Sequence, residues 1–186
     1  LSMPGQHNVA NALAAVATAL ELEIPFSQIQ ESLEGFSGVQ RRFTLRAQEA
    51  GVMIVDDYGH HPVEIETTLA GARDGFPKKR IIAVLQPHRF TRVRDLFNDF
   101  CRAFNRADHV VVCPVYRAGE QPIAGVDHHS LAEGLRSHGH RSVHVANDLN
   151  QATEHLAGMV ESGDLVITLG AGNVNSVCFS LAERLR

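Results

Sequence analysis

Cysteine is scarce in this 186-residue chain: three residues, Cys101, Cys113 and Cys178, odd in number and widely spaced. That argues against a disulfide framework and for small buried apolar residues kept reduced in a cytoplasmic setting. Long hydrophobic runs are missing too. Apolar runs such as 81–85 and 110–113 are strand length and far short of a membrane span, so no membrane insertion is expected. The start, Leu1-Ser2-Met3-Pro4-Gly5, has neither the basic residues nor the apolar stretch of a secretion signal. There is no basic excess: with histidine neutral the net charge is −4, so nucleic acid is not an expected partner. Eleven histidines are many, but no Cys-x-x-Cys or His-Glu-x-x-His spacing accompanies them, and no metal ligands are assigned.

What is present is an ordinary globular composition, 44% hydrophobic and 20% charged, long enough for one domain or for one domain plus a fragment. Val9, Ala12, Leu13, Val16 and Leu20 recur at helical spacing and predict a helix over 8–20. A second short helix is expected over 26–34, after Pro25. These two have no strands of their own and look like the tail of a preceding domain, residues 1–37. From residue 38 the pattern changes. Strands over 42–48 and 52–56 are joined by a turn at Ala50-Gly51. Helices over 62–73, 91–105, 127–137, 148–161 and 174–186 then alternate with strands over 80–85, 109–113, 142–145 and 164–169. Alternation of this kind specifies a doubly wound, mostly parallel Rossmann-like α/β sheet covered on both faces, with the initial hairpin as an antiparallel edge.

In such a sheet ligands bind beyond the carboxyl ends of the strands, and there the unusual residues gather. Asp56-Asp57-Tyr58-Gly59-His60-His61-Pro62 follows one strand and Gln86-Pro87-His88-Arg89-Phe90-Thr91-Arg92 the next. Pro114-Val115-Tyr116-Arg117-Ala118-Gly119-Glu120 and Gly170-Ala171-Gly172-Asn173 follow two others. Arg89 and Arg92, three apart in a strand-to-helix turn, could face one anion. Cations at a helix start oppose its dipole and so suggest such a ligand. Asp57 could accept a sugar hydroxyl, bind a metal, or merely cap a turn. His60 and His61 are adjacent, so their side chains diverge and at most one is expected to face a ligand. The Gly-Ala-Gly turn could hold an anion on backbone amides or be only a tight turn, because Asn175 stands where a full glycine fingerprint would place its third glycine.

Taken together these clusters resemble the Mur ligases, ATP-dependent amide-forming enzymes of peptidoglycan synthesis, over nearly the whole chain. Pro4-Gly5-Gln6-His7-Asn8-Val9-Ala10-Asn11-Ala12 is similar to the family's G-x-H-N-x-x-N-A segment at the end of the central ATPase domain. Gly38-Val39-Gln40-Arg41-Arg42-Phe43 resembles the start of the third domain. The 56–62 and 86–92 motifs look like those of the L-alanine-adding branch. The resemblance implies that His7, Asn8 and Asn11 lie against the adenine of ATP. It also implies that Arg42 reaches the ribose or phosphates and that Asp57 holds the ribose. It places Tyr58, His60, His61, His88, Arg89, Arg92 and Tyr116 around the UDP-N-acetylmuramate carboxylate, the transferred phosphate and L-alanine, with His60, His88, Arg89 and Arg92 in catalytic roles. Mg2+ would bridge the phosphates.

Two departures stand out. No G-x-x-x-x-G-K-[ST] occurs in the chain. The phosphate-gripping lysine, the magnesium ligands and the UDP-binding domain are therefore expected on sequence outside it, and the chain alone is not expected to ligate. In the glycine turn, relatives often carry glycine where Asn175 stands. The competing readings are a murein tripeptide recycling ligase within the family and, outside it, a freestanding nucleotide-binding module or a non-catalytic interaction domain.

Overall fold

The computed structural model describes residues 3–186; Leu1 and Ser2, part of the start noted above, lie outside the described residues. Two helices come first, α1 (Gln6–Glu21) and α2 (Phe26–Gly35). The hairpin β1 (Thr44–Glu49) and β2 (Val52–Asp57) follows, then α3 (Pro62–Gly75), β3 (Ile81–Leu85), α4 (Phe90–Asp95), α5 (Phe97–Arg102) and β4 (His109–Val112). α6 (His128–Ser137), β5 (Val143–Val145), α7 (Leu149–Met159), β6 (Leu165–Leu169) and α8 (Ser176–Leu185) complete the order. The hairpin turns at Ala50 and Gly51, with φ 49° and 80°, the left-handed pair whose twist matches that of the flanking strands.

The strands form one six-stranded sheet in the order β1-β2-β6-β3-β4-β5, parallel except for β1. The last strand, β6, inserts between β2 and β3; the helices flanking β6 in sequence, α7 and α8, cover one face of the sheet and those leaving its neighbours, α3 and α5, the other, which opens a crevice at the carboxyl ends. Alternation along each strand feeds two cores. Val55, Ala83, Val110 and Ile167 face α3, α5 and α6, whereas Ile54, Val84, Val111 and Val166 face α7 and α8. β3 and β6 are buried at every position, as central parallel strands covered on both faces must be.

One element departs from expectation. The helix expected over 91–105 breaks at Leu96, with φ −116° and ψ 24°, into α4 and α5. The bend re-aims its second half so that Phe97 and Cys101 press on Gly134 of α6, where a Cβ would lie 2.8 Å from the Phe97 ring. The three cysteines are buried free thiols. No helix among the described residues is long and apolar enough to cross a membrane.

The later histidines do find partners. His138 Nδ1 lies 2.8 Å from Gly134 O and His140 Nε2 3.1 Å from Ala107 O. His109, buried at the start of β4, places Nδ1 2.6 Å from Ser142 Oγ and Nε2 3.2 Å from His155 Nε2, while His155 stacks on His144 at 3.5 Å. Burial, then the nearby His155, His144, His140 and Arg80, hold the His109 pKa down at about 4. Between about pH 6.5 and that value the unfolded chain binds a proton that the folded one refuses, so stability falls as pH drops through the window. His109→Asn should therefore lose less of its urea midpoint than the parent between roughly pH 7.5 and pH 5. An unchanged pH dependence would remove His109 from the acid response.

Candidate active site

The aromatic row of the crevice is built from three strand ends. Tyr58 and His60 follow β2, His88 follows β3 and Tyr116 follows β4. Their rings stand in one row, with successive centroids 5.3, 5.5 and 5.4 Å apart. Backbone pairing fixes the far half: Tyr116 N donates to Pro87 O at 2.8 Å, and Arg89 N to Tyr116 O at 2.9 Å. Arg92 Nη1 donates to His88 O at 3.3 Å and lies 3.5 Å from His88 Nδ1. Burial, then His60, Arg92 and Arg89, hold the His88 pKa below the usual imidazole range. With a guanidinium facing Nδ1, the neutral ring carries its proton on Nε2. His60 has the opposite arrangement. Its Nδ1 lies 3.0 Å from Tyr58 O and 3.5 Å from Glu64 Oε2, so Nδ1 is the donor and Nε2 the acceptor of the neutral ring.

Beside the row lies a cavity of about 700 Å3 between α1, α2 and the start of the sheet domain, a volume typical of small-ligand sites, which run roughly 300–1,000 Å3. His7, Asn8, Asn11, Arg42 and Asp57 all line it, with Leu33, Phe36, Val39 and Phe43 supplying apolar wall. α1 is anchored there by its own entry segment. Pro4 and Gly5 cross α3 at Gly71, where an added Cβ would meet the Gly5 Cα at 3.0 Å, and Asn8 Nδ2 donates to Pro4 O at 2.8 Å. Asp57 is buried, its oxygens accepting Phe43 N at 2.8 Å and Gly59 N at 2.7 Å. Burial pushes its pKa up, against those two bonds and the Arg42 charge.

The site residues named from sequence thus fall into two groups: five on the cavity wall, and Tyr58, His60, His88, Arg92 and Tyr116 in or against the row. Arg89 is exposed at the start of α4. His61 stands apart, because its Nδ1 accepts Val63 N at 3.3 Å and caps α3. Sequence reasoning passed over Asp56 and Arg41. Asp56 is fully buried and meets Arg41 Nε and Arg46 Nη2, each at 3.1 Å, and Thr168 Oγ1 at 3.0 Å. Arg41 also donates to Gly170 O at 2.6 Å and Gly172 O at 3.2 Å, and its guanidinium lies 5.0 Å over the Tyr58 ring. The glycine turn thus presents two of its carbonyls to a cation. The signal was available: a carboxylate at the end of a central strand is buried and must find cations.

A profile of the family described as "Mur ligase, glutamate ligase domain" matches residues 41–172. The chain belongs to the Mur ligase family. The UDP-N-acetylmuramate–L-alanine ligase of Syntrophotalea carbinolica is 55% identical over 186 residues, all of this chain and 40% of that protein. The ligase of the same name from Trichlorobacter lovleyi is 51% identical over 99% of the chain and 40% of its own length. This Mur ligase chain therefore spans about 40% of the curated relatives it matches. The crystal structure of the UDP-N-acetylmuramate-alanine ligase of Thermotoga maritima superposes with a TM-score of 0.82 at 30% identity, over 97% of this chain and 38% of that one. A murein peptide ligase from Psychrobacter arcticus shares the Mur ligase fold at a TM-score of 0.67 and 24% identity.

Close packing at the turn yields a test. A Cβ on Gly172 would fall 2.7 Å from the Tyr116 ring and closer still to Gln86 Oε1. Gly172→Ala should displace Tyr116 from the row and cost about 1–3 kcal/mol. The chain has two tyrosines and no tryptophan, so tyrosine fluorescence reports the displacement directly. Unchanged emission and unfolding midpoint would show that the turn yields freely.

Proposed function

We propose that this chain is the C-terminal part of an ADP-forming ligase that joins L-alanine to UDP-N-acetylmuramate. On this reading residues 1–37 are the helical end of the preceding ATP-binding domain, and 38–186 form the terminal domain. The observation that carries the proposal is the meeting, at the carboxyl ends of β2, β3 and β4, of the Tyr58-His60-His88-Tyr116 row with a nucleotide-sized cavity. The names of the relatives and the pairing of D-D-Y-G-H-H-P with Q-P-H-R-F-T-R favour L-alanine over murein tripeptide as the acceptor.

The chemistry follows from the reaction class. The muramyl carboxylate attacks the γ-phosphorus of ATP, the bond to the bridging oxygen breaks, and ADP leaves an acyl phosphate. The alanine amine then attacks the acyl carbon, and phosphate departs as the amide forms. His7, Asn8 and Asn11 would hold adenine, and Asp57 and Arg42 the ribose and phosphates. Arg89 and Arg92 would face the charge that builds on the transferring phosphoryl group and the tetrahedral intermediate. His88 Nε2–H would donate to an anionic oxygen. His60 Nε2 would accept the proton that the alanine ammonium must lose before it can attack.

Mg2+ fits this part of the protein poorly. Asp56 is committed to Arg41 and Arg46, and both Asp57 oxygens accept backbone amides. No step is therefore assigned to the ion on these residues.

In the full-length protein, ADP release from ATP and UDP-N-acetylmuramate should depend on L-alanine. Release with murein tripeptide instead would move the protein to the recycling branch, and release with neither would overturn the reading. In the same assay Arg89→Ala should cost on the order of 2–4 kcal/mol in kcat/KM. Unchanged turnover would remove Arg89 from the reaction.

A further inference from the structure

Arg89 is the wrong residue for its place. It stands at the N-cap of α4, where an acceptor side chain is favoured and a cation opposes the helix dipole. Its backbone, at φ 72° and ψ 131°, lies in a region that side-chain-bearing residues rarely occupy. Its own side chain makes no cap bond. A conformation this unfavourable persists only where the surroundings over-determine it.

Two contacts do so, and both come from the loop after β4. Tyr116 O accepts Arg89 N at 2.9 Å. Glu120 then reaches the helix start: its carboxylate accepts Thr91 N at 3.1 Å and Thr91 Oγ1 at 2.6 Å. The Thr91 bonds, with the Arg89 charge nearby, hold the Glu120 carboxyl below the usual carboxylate range. Glu120 is aimed there by a left-handed pair, Ala118 and Gly119, at φ 49° and 87°, with Glu120 N donating to Arg117 O at 2.9 Å. It thus caps the second amide of α4 and supplies the negative charge that the N-terminus prefers. The cap position is left free for an arginine.

We propose that Glu120 is the positioning residue for the arginine pair: it caps α4 from across the crevice, so that Arg89 can hold its left-handed backbone and turn its guanidinium toward the transferring phosphoryl group or the alanine carboxylate. Glu120 touches neither substrate; it acts through Arg89, and through Arg92 one turn later. The inference rests on the ligase reading given above.

The test is a double-mutant cycle in the full-length protein, with ADP release as the readout. Glu120→Ala should lower kcat/KM for L-alanine by tenfold or more and leave the KM for ATP within about twofold, because the cavity wall is untouched. Glu120→Gln, which keeps an acceptor oxygen, should recover most of the loss. Thr91→Val, which keeps the amide bond and drops the hydroxyl, should show part of it. Should Glu120→Ala fail to fold, these two variants carry the test. In an Arg89→Ala background, Glu120→Ala should cost clearly less than it does alone, since only the part of its effect that passes through Arg92 is left. Multiplicative losses, or a fully active Glu120→Ala enzyme, would overturn the positioning role while leaving the ligase reading intact. A wild-type protein inert with both acceptors would instead overturn the ligase reading, and with it the reaction Glu120 is said to serve.

Discussion

Asp56 has no accessible surface, and a carboxylate so placed in the middle of an apolar sheet must be neutralised by donors on every side. Arg41, Arg46 and Thr168 provide them. Removing one partner from such a cluster typically costs about 3–5 kcal/mol, because a buried charge is left uncompensated. The demand of this one carboxylate organises its surroundings. Arg41 is drawn into a left-handed backbone at φ 59° just before β1, and its remaining nitrogens hold the carbonyls of Gly170 and Gly172. Its guanidinium floors the Tyr58 ring. The start of the sheet domain, the turn after β6 and the first ring of the row therefore share one anchor.

The pleat gives the neighbouring aspartate a different environment. Successive strand residues point to opposite faces. Asp56 turns toward Thr168 and α8, while Asp57 turns toward α3 and the cavity. One is held by two arginines and a threonine hydroxyl. The other is held by two backbone amides, with its pKa raised by burial. Two adjacent residues of one type thus divide scaffold from site.

The site is also divided between two parts of the chain. One wall of the cavity is helical, from α1 and α2; the other comes from the sheet domain. α1 buries none of its residues and exposes Val9, Leu13 and Leu20, while the entry segment fastens it to α3 through contacts that only glycine at 71 permits. Such a helix draws little stability from its own apolar face and much from its attachment points. The cavity's shape is accordingly sensitive to how α1 is seated.

Most of the architecture was legible from local pattern. Hydrophobic periodicity located every strand and helix to within a few residues. The alternation of the two specified the parallel sheet, and the crowding of His, Arg and Tyr after the strands located the crevice. The bend at Leu96 was not legible, because the apolar stripe runs unbroken from Val93 to Phe104 and only the close approach to Gly134 calls for it. Nor was the capping role of His61, which depends on a neighbouring helix start rather than on residue type. By itself the sequence determined the elements and the chemistry available at one end of the sheet, since both are written in spacings of two to four residues. Only the tertiary structure decided that β6 lies between β2 and β3, that Arg41 rather than Arg42 secures the glycine turn, and that Glu120 caps α4. Those pairings join residues 29 to 131 positions apart, a separation at which no periodicity survives and burial alone selects the partner.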